Sequence, residues 1–419
     1  MSEKSKYLTI AFLESAPVAY TYKLAKCLKN RGYKTILFSF LKSKSDIYDS
    51  AYDKIINLNI DSFSVSASNG KSIIKKTPRI ISKFYQLLSH NPDIIIGVAS
   101  PKPLWLPALC CRITHLLSSR TPFIFFPYDV NALRYKEKRF FKKAGIPDLE
   151  LNSERYLFTH SDGVFFKGDE YKAVKNLFPI KVPVGRMFPY IMDEYIQPFS
   201  SYKLSKKDNE LHIVYIGFMV LSLEGNNSLG FISGYDVINK FAKNKIHLHI
   251  YSGQYEKWAS DNEFDKVENK KYIHIHKPIN HHDIIKEISK YDFGLCMSQF
   301  DYSIINKEFA ALGPGNKTAN YFEAGIPCLF GPCLFSRDHE CTRAELRKYD
   351  LDLAFSDKEF SKLKKKLKSY NYSKLLDKVA IARREFTMEN NMPSFELFLQ
   401  DVISKKLNSR TTPQIRLSK

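Results

Sequence analysis

The sequence predicts an α/β protein of two domains, each built on a parallel sheet covered by helices. Three observations support this prediction. The chain has 419 residues, which is too many for a single hydrophobic core. Short apolar runs of strand length alternate with helical patterns, which is typical of βαβ units. A polar stretch at 197–210 interrupts the alternation, which then restarts, so we interpret that stretch as a linker.

The first domain is predicted to span residues 1–204. Its elements follow from hydrophobic periodicity, which separates strands from amphipathic helices. The predicted strands are Tyr7–Phe12, Thr35–Phe40, Ile55–Ile60, Asp93–Val98, Pro122–Pro127 and 163–166. The predicted helices are Tyr20–Asn30, Ile73–Leu88, Leu104–Leu117 and a segment that ends near Phe158.

The second domain is predicted to span residues 205–385, with a helix at 386–407 that returns towards the first domain and a basic flexible tail at 408–419. Two parallel sheets in series direct the carboxyl ends of their strands towards a crevice, where ligands bind in such folds. The predicted strands are Leu211–Ile216, Ile246–Tyr251, Tyr272–Ile275, Phe293–Met297, Cys328–Phe330 and Leu351–Phe355. The predicted helices are Val237–Ala242, His282–Lys290, Lys317–Ala324, Ser373–Met388 and Ser394–Lys406.

The composition indicates an anionic partner. Lysine and arginine number 64 against 44 aspartates and glutamates, so the formal charge is +20. A nucleotide, a phospholipid surface, an acidic glycan or nucleic acid would all match that charge. No apolar run is long enough to span a membrane, and the seven cysteines lack disulfide or zinc spacing. We therefore expect a cytoplasmic location, or a peripheral one at the inner face of the membrane.

The stretch 313–327, GPGNKTANYFEAGIP, carries the most chemical information. Asn316 is a candidate N-cap of a short helix, and Gly325 and Pro327 end that helix. The free N–H groups at the helix start suit a phosphate, and Lys317 would add a positive charge. Glu323, near the other end, could accept hydrogen bonds from ribose hydroxyls. The alternative is a surface helix with a solvated lysine and glutamate.

This stretch resembles the donor-binding signature of the glycosyl transferases group 1, roughly N-K-x-x-x-Y-x-x-A-G-x-P. The resemblance implies the GT-B fold, in which two Rossmann-like domains face a central cleft and the second domain binds a nucleotide sugar. In that family a glutamate on this helix contacts the ribose. The segment Leu211–Gly217 is similar to the family's first donor-domain strand and glycine. The implied substrate-binding residues are Gly217, Gly315, Asn316, Lys317, Thr318, Tyr321 and Glu323.

The resemblance implies a hexosyltransferase that transfers a sugar, with retention, from a nucleotide sugar to a glycan or a lipid-linked acceptor. The expected setting is cell-envelope or surface polysaccharide biosynthesis, and no metal or other cofactor is expected. Two departures are present. Gly315 stands where the family places a second glutamate, and 218–224 lacks the family's arginine and lysine, for which Arg343 is a candidate substitute. The alternatives are a nucleotide-sugar epimerase of the same architecture and a catalytically inactive nucleotide- or glycan-binding relative.

Asp129 is the candidate catalytic residue of the first domain, and the implied catalytic pair is Asp129 with Glu323. Asp129 follows the predicted strand Pro122–Pro127, where it could act as a general base or orient an acceptor hydroxyl. An aspartate that caps a strand–helix junction is the alternative interpretation. Glu14, at the end of the first predicted strand, is a weaker candidate of the same kind.

Residues 134–143, RYKEKRFFKK, combine six bases with one acid and three aromatic residues. Such a run could bind an anionic membrane surface or form a solvated basic helix. Nucleic acid is not expected, because no nucleic-acid-binding module accompanies the run.

Histidines recur at positions 274, 276, 281 and 282. His274 and His276 share one face of a predicted strand, so a metal site is conceivable. Partly exposed histidines are the favoured interpretation, because no nearby carboxylate or cysteine has metal-ligand spacing.

Overall fold

The computed structural model describes residues 8–14, 18–40, 50–58, 70–99, 103–220, 230–256, 267–297 and 299–408. The chain divides into two compact units, of which the first comprises 1–134, 145–188 and 391–419. The second comprises 135–144 and 189–390. Among the described residues, none of the helices has both the length and the apolar character needed to cross a membrane.

The first unit contains a sheet of seven parallel strands in the order β3-β2-β1-β4-β5-β6-β7. The central strand β4 has the sequence IIIGVA and is buried along its whole length. Such continuous apolar runs are typical of parallel strands that helices cover on both faces. The strands are β1 Thr9–Glu14, β2 Lys34–Ser39, β3 Lys54–Asn57, β4 Ile94–Ala99, β5 Phe123–Pro127, β6 Gly163–Phe166 and β7 Val184–Arg186.

Helices connect these strands, as parallel pairing requires. They are α1 Ala19–Asn30, α2 Gly70–Leu88, α3 Trp105–Leu117, α4 Asn131–Arg134, α5 Lys138–Lys143, α6 Asp148–His160 and α7 Tyr171–Val174. Helix α5 belongs to the second unit, because Tyr135 forms an antiparallel bridge with Ile305 and the Lys136 amide donates to the Ile304 carbonyl.

The second unit contains a sheet of six parallel strands in the order β10-β9-β8-β11-β12-β13. The strands are β8 His212–Ile216, β9 His247–Tyr251, β10 Ile273–His276, β11 Phe293–Cys296, β12 Cys328–Cys333 and β13 Leu353–Ser356. The helices are α8 Ser205–Asp208, α9 Tyr235–Lys243, α10 His281–Ile288, α11 Lys307–Leu312, α12 Lys317–Glu323, α13 Glu340–Arg347, α14 Phe360–Ser369 and α15 Tyr372–Glu385.

The last helix, α16, spans Met388–Asn408, and its residues from Asn391 onward pack in the first unit. The rings of Phe395 and Phe398 contact Phe165 at centroid distances of 4.8 and 5.6 Å. Glu396 is buried and accepts two hydrogen bonds from Arg31, at 2.8 and 2.7 Å. These contacts attach the last helix to the first unit.

The unit boundary lies between Phe188 and Pro189, sixteen residues before the predicted boundary at 204/205. The physical reason is that the intervening segment bonds to the second unit. The Met192 amide donates to the Glu323 carboxylate, and the Gln197 amide donates to the Glu323 carbonyl. The chain also crosses at 134/135, at 144/145 and, inside helix α16, between Asn390 and Asn391.

Candidate functional site

The second unit contains a cavity of about 440 Å³ at the carboxyl ends of β8, β9 and β10. The first turn of helix α12 forms one of its walls. In parallel α/β sheets this edge is where ligands bind, because the loops that follow the strands converge there. The lining residues are Ile216, Gly217, Tyr251, Ser252, Gly253, Pro278, Ile279, Ile284, Asn316, Lys317 and Asn320.

Tyr321 anchors α12 in this position. Its hydroxyl donates to the Leu295 carbonyl at 2.9 Å and accepts from the Ile216 amide at 3.3 Å. The ring packs on Gly294 of β11 so closely that a Cβ on that glycine would lie 2.2 Å from it. One fully buried side chain therefore ties the helix to the ends of two strands.

The geometry of α12 decides which side chains reach the cavity. Lys317 and Asn320 are three residues apart, so they lie on the same side of the helix. Glu323 lies a further turn along and is rotated onto the buried side, with no exposed surface. Its Oε1 accepts a hydrogen bond from the Met192 amide at 3.1 Å.

Gly217 and Lys317 fit closely together. Gly217 has φ +112°, a conformation that favours glycine. A Cβ at this position would lie 3.0 Å from Lys317 Cε. The Lys317 ammonium lies 5.0 Å from the centroid of the Tyr215 ring, which is a cation–π geometry. Burial, followed by the charges of Lys317 and Arg343, lowers the pKa of His339 to about 3.

The cavity brings together three of the predicted substrate-binding residues, namely Gly217, Asn316 and Lys317. Four others do not line it, and their role in binding substrate stays a prediction. Thr318, Tyr321 and Glu323 are fully buried. The Gly315 amide donates to Thr342 Oγ1 at 3.1 Å, on the other side of the loop. The reason is helical phase, because only one side of a short helix can face a cavity.

Asn320 and the loops after β9 and β10 were not predicted as site residues. Asn320 was detectable as the residue one turn after Lys317. Ser252, Gly253 and Pro278 follow predicted strands, so the rule for carboxyl ends of parallel strands would have indicated them. The residue types at these three positions do not by themselves indicate a binding site.

Arg343 does not replace the missing basic pair near Gly217. Its Nε and NH2 donate to Asp352 at 2.8 and 3.2 Å, and its NH1 donates to the Ser336 carbonyl. The guanidinium does not line the cavity. Of the loop that follows Gly217, residues 218–220 are described and carry no base, while 221–229 lie outside the described residues.

In the first unit, Asp129 lies just after β5, where the sequence places it. Its Oδ1 accepts from Lys167 Nζ at 3.0 Å, and that ammonium lies 4.3 Å from the centroid of the Tyr128 ring. Although burial opposes it, the charge of Asp129 raises the pKa of Lys167. Asp129 is thus a positioned carboxylate with a buried cation beside it, and its role as a general base stays a prediction.

Two further carboxyl groups at the same edge of the first sheet have raised pKa values. Burial raises the pKa of Glu170 to about 7 and that of Glu14 to about 8. Glu14 accepts a hydrogen bond from Thr21 Oγ1 at 2.9 Å. Its side chain is fully buried, so Glu14 is a core group of this unit.

Neither a family model nor a curated protein matches the sequence. Solved structures match it over nearly its whole length at low identity. An α,α-trehalose-phosphate synthase (UDP-forming) from Burkholderia xenovorans has TM-score 0.59 and 9% identity, covering 94% of this chain and 100% of that chain. The lipopolysaccharide outer core galactosyltransferase WaaB has TM-score 0.57 and 12% identity, with coverages of 94% and 99%.

A proposed UDP-N-acetylglucosamine 2-epimerase from Listeria monocytogenes also matches, with TM-score 0.52, 11% identity and 97% coverage of both chains. At such identities the likeness concerns the fold, and the same architecture carries more than one chemistry. Two all-parallel Rossmann-like sheets of seven and six strands, with these neighbours, show that the chain has the GT-B fold.

Proposed function

We propose that the chain is a glycosyltransferase that takes a sugar from a nucleotide-sugar donor and transfers it to a glycan or a lipid-linked acceptor. The observation that carries the proposal is the cavity of the second unit, in which Lys317, Asn316 and Asn320 converge beside Gly217. The predicted setting, cell-envelope or surface polysaccharide biosynthesis, is part of the proposal.

The lining of the cavity matches the parts of a nucleotide. A volume of about 440 Å³ is sufficient for a nucleoside diphosphate. The Lys317 ammonium would neutralise phosphate oxygens, and glycine at 217 leaves room for them to approach the backbone. The amides of Asn316 and Asn320 can bond ribose hydroxyls, and Ile279 and Ile284 offer apolar contact to a base.

Such a site would act by positioning the donor and by stabilising the leaving diphosphate, which needs no metal or other cofactor. We assign the acceptor to the first unit, with Asp129 as the group that orients or deprotonates its hydroxyl. Retention of anomeric configuration is proposed from the resemblance of residues 313–327 alone.

Calorimetry with UDP, GDP, ADP and CMP tests the donor site. We expect one of them to bind with one site per chain. Lys317→Ala should weaken that binding by roughly 10- to 100-fold, because it removes a charge-assisted hydrogen bond. Asn320→Ala should weaken it by roughly 3- to 10-fold. Lys307→Ala is the matched control, since Lys307 is also the first residue of a short helix but lies outside the cavity.

Absence of binding in all four titrations, or equal losses in Lys317→Ala and Lys307→Ala, would contradict the proposal. The nucleotide sugar with the bound base then separates the chemistries by NMR. Donor hydrolysis or transfer supports the glycosyltransferase, and inversion within the intact nucleotide sugar indicates the epimerase. Binding without turnover of any donor indicates the inactive relative.

We further propose that the protein works in the cytoplasm, at the inner face of the membrane, where lipid-linked acceptors are accessible. The support is the segment 135–143, in which five basic side chains are exposed: Lys136, Lys138, Arg139, Lys142 and Lys143. Phe141 is buried and packs helix α5 against the rest of its unit, whereas the five basic side chains face solvent.

A further inference from the structure

Five histidines lie on one face of the second sheet. His212 is on β8, His247 and His249 are on β9, and His274 and His276 are on β10. Strand register pairs His212 with His247, and His249 with His274. His274 and His276 are half-buried, which agrees with the prediction of partly exposed histidines, but their three neighbours on the adjacent strands were not predicted.

The five rings are ordered by hydrogen bonds. His212 Nδ1 lies 2.9 Å from His249 Nε2, and His249 Nδ1 lies 3.0 Å from His276 Nε2. His247 Nδ1 lies 2.8 Å from His274 Nε2. The rings of His212 and His247 stack with centroids 4.4 Å apart and an interplanar angle of 5°. His249 therefore orients the His212 imidazole, and His274 orients the His247 imidazole.

A carboxylate completes the arrangement. Asp208, at the end of helix α8, places Oδ2 3.0 Å from His212 Nε2. One potential ligand atom from each of Asp208, His212 and His247 lies within 4.8 Å of the other two. The sequence offered no acid with metal-ligand spacing near His274, because this acid comes from a helix some 66 residues earlier in the chain.

We propose that Asp208, His212 and His247 bind one divalent transition-metal ion, with zinc as the preferred ion. Zinc–ligand distances of about 2.0–2.2 Å place tetrahedral ligand atoms about 3.4 Å apart. The ligand atoms lie within 4.8 Å of one another, so the side chains would rotate towards the ion when it binds. His249 and His274 would orient the two ligating rings through their other nitrogens, as outer-sphere partners of metal-bound histidines do.

The three proposed ligands lie at the surface of the unit. His212 is buried, His247 is half-buried and Asp208 is exposed, so solvent can reach an ion held between them from the Asp208 side. Three protein ligands and one open position are typical of a zinc site that retains a water molecule.

This site is separate from the cavity of the second unit. His247 is the first residue of β9 and Tyr251, which lines the cavity, is the last. Four residues of a strand span about 13 Å. A metal ion here would connect α8 to the first residues of β8 and β9, and the inference does not depend on the proposed transferase activity.

The test is zinc binding to the full-length protein after dialysis against a chelator, measured by competition with a chromogenic indicator. We expect one equivalent of Zn²⁺ per chain and a rise in Tm when it binds. Asp208→Asn and His247→Gln should each weaken binding more than roughly 100-fold, because loss of an outer-sphere partner alone costs 10- to 100-fold. His249→Gln should weaken it by roughly 10-fold. His276→Gln, on the same face but without contact to a proposed ligand, is the matched control and should bind as the wild type does.

Asp208 is exposed, so Asp208→Asn should fold even if a substitution in the buried His212 does not. Co²⁺ substitution adds a spectroscopic check on the ligands. Visible bands of a nitrogen- and oxygen-ligated ion, lost in Asp208→Asn, support the site. A near-ultraviolet thiolate band, unchanged zinc affinity in Asp208→Asn, or no stoichiometric binding would each overturn it.

Discussion

At the scale of single residues, the cavity of the second unit depends on a glycine and a lysine from distant parts of the chain. Gly217 has φ +112°, and its missing side chain leaves space for the Lys317 aliphatic stem. Lys317 would carry the interaction with phosphate. The position of its ammonium therefore depends on a residue that itself offers no functional group.

We predict that Gly217→Ala lowers both stability and nucleotide affinity. A side chain at this φ costs about 1–2 kcal/mol of stability. The new Cβ would lie 3.0 Å from Lys317 Cε, so the lysine side chain must shift. Nucleotide binding should weaken roughly tenfold, since one charge-assisted contact is misplaced. Denaturant unfolding and calorimetry measure the two effects.

The matched control is Gly253→Ala, which lies in the same cavity lining. A Cβ there meets no atom within 4 Å, and its backbone has no positive φ. The role assigned to Gly217 is wrong if both alanine variants bind nucleotide alike.

Glu14 gives a prediction for pH dependence. Burial raises its pKa from 4.5 to about 8, so the folded state retains a proton that the unfolded state loses between these pH values. Stability should therefore fall as the pH rises from 4.5 to 8, by at most about 1.4 kcal/mol per pH unit. Glu14→Gln should remove this dependence, so its stability relative to wild type should increase with pH across that window.

Glu359→Gln provides a comparison, because Glu359 should change the stability with pH in the opposite direction. A hydrogen bond from the Ser356 amide lowers the pKa of Glu359, so the stability it contributes is lost as the pH falls below about 4.5. Urea titrations at several pH values measure both variants. A pH slope in Glu14→Gln equal to that of the wild type would show that Glu14 ionises without cost in the fold.

At the scale of elements, helix α12 is placed by packing on β11 and not by its own length. It has seven residues, so propensity alone would leave it marginal. Tyr321 fixes it through two hydrogen bonds and through close contact with Gly294. The wall of the cavity that α12 forms therefore depends on this contact between a helix and a strand.

We predict that Gly294→Ala destabilises the second unit by about 1–3 kcal/mol or more and weakens nucleotide binding. The new Cβ would lie 2.2 Å from the Tyr321 ring, so the helix must shift. Gly315→Ala is the control, because the nearest atom to its Cβ would be 4.0 Å away.

A double variant makes this prediction sharper. Tyr321→Leu removes the clashing ring, so Gly294→Ala should cost less in that background than in the wild type. Strictly additive unfolding free energies would show that the two residues do not interact.

Some elements could be found from the sequence and others could not. Helix α14 has the sequence FSKLKKKLKS, whose many lysines are typical of a solvated run. The structure buries Phe360, Leu363 and Leu367, whose spacing of three and four residues was a usable helical signal. Strand β7, with three residues, has no such signal, because its pairing with β6 determines it.

At the scale of the whole molecule, the C-terminal helix is part of the first unit even though it follows the second in sequence. Its attachment includes an ion pair between the exposed Arg31 and the buried Glu396, with Tyr33 also donating to that carboxylate. A buried carboxylate needs several donors to offset its lost hydration. The chain thus crosses between the units at 134/135, 144/145, 188/189 and 390/391.

The net charge of +20 leads to a prediction about membranes. We expect flotation with vesicles of phosphatidylcholine and phosphatidylglycerol, but not with phosphatidylcholine alone, and loss of binding at high salt. Lys142→Ala with Lys143→Ala should weaken binding by roughly 30-fold, since each basic residue near an anionic surface contributes about 1 kcal/mol.

The control is Lys362→Ala with Lys365→Ala, two exposed lysines on α14. Equal losses in the two double variants would assign the binding to net charge and not to residues 135–143. Binding that does not respond to salt would contradict an electrostatic surface altogether.

The sequence by itself determined the fold class, most of the strands and the helix that carries Lys317. Those features follow from local patterns, because apolar periodicity and glycine or proline stops act over a few residues. The same patterns indicated Gly217, Asn316 and Lys317, since each lies at the end of an element, and all three line the cavity of the second unit.

Only the tertiary structure decided which side of each element faces a ligand. Helical phase places Asn320 in the cavity and Glu323 in the core, because Glu323 is six residues from Lys317 and is rotated by about 120° from it. Strand register brings Asp208, His212 and His247 together across two strands and a helix. Pairings of this kind are non-local, so no single stretch of sequence contains them.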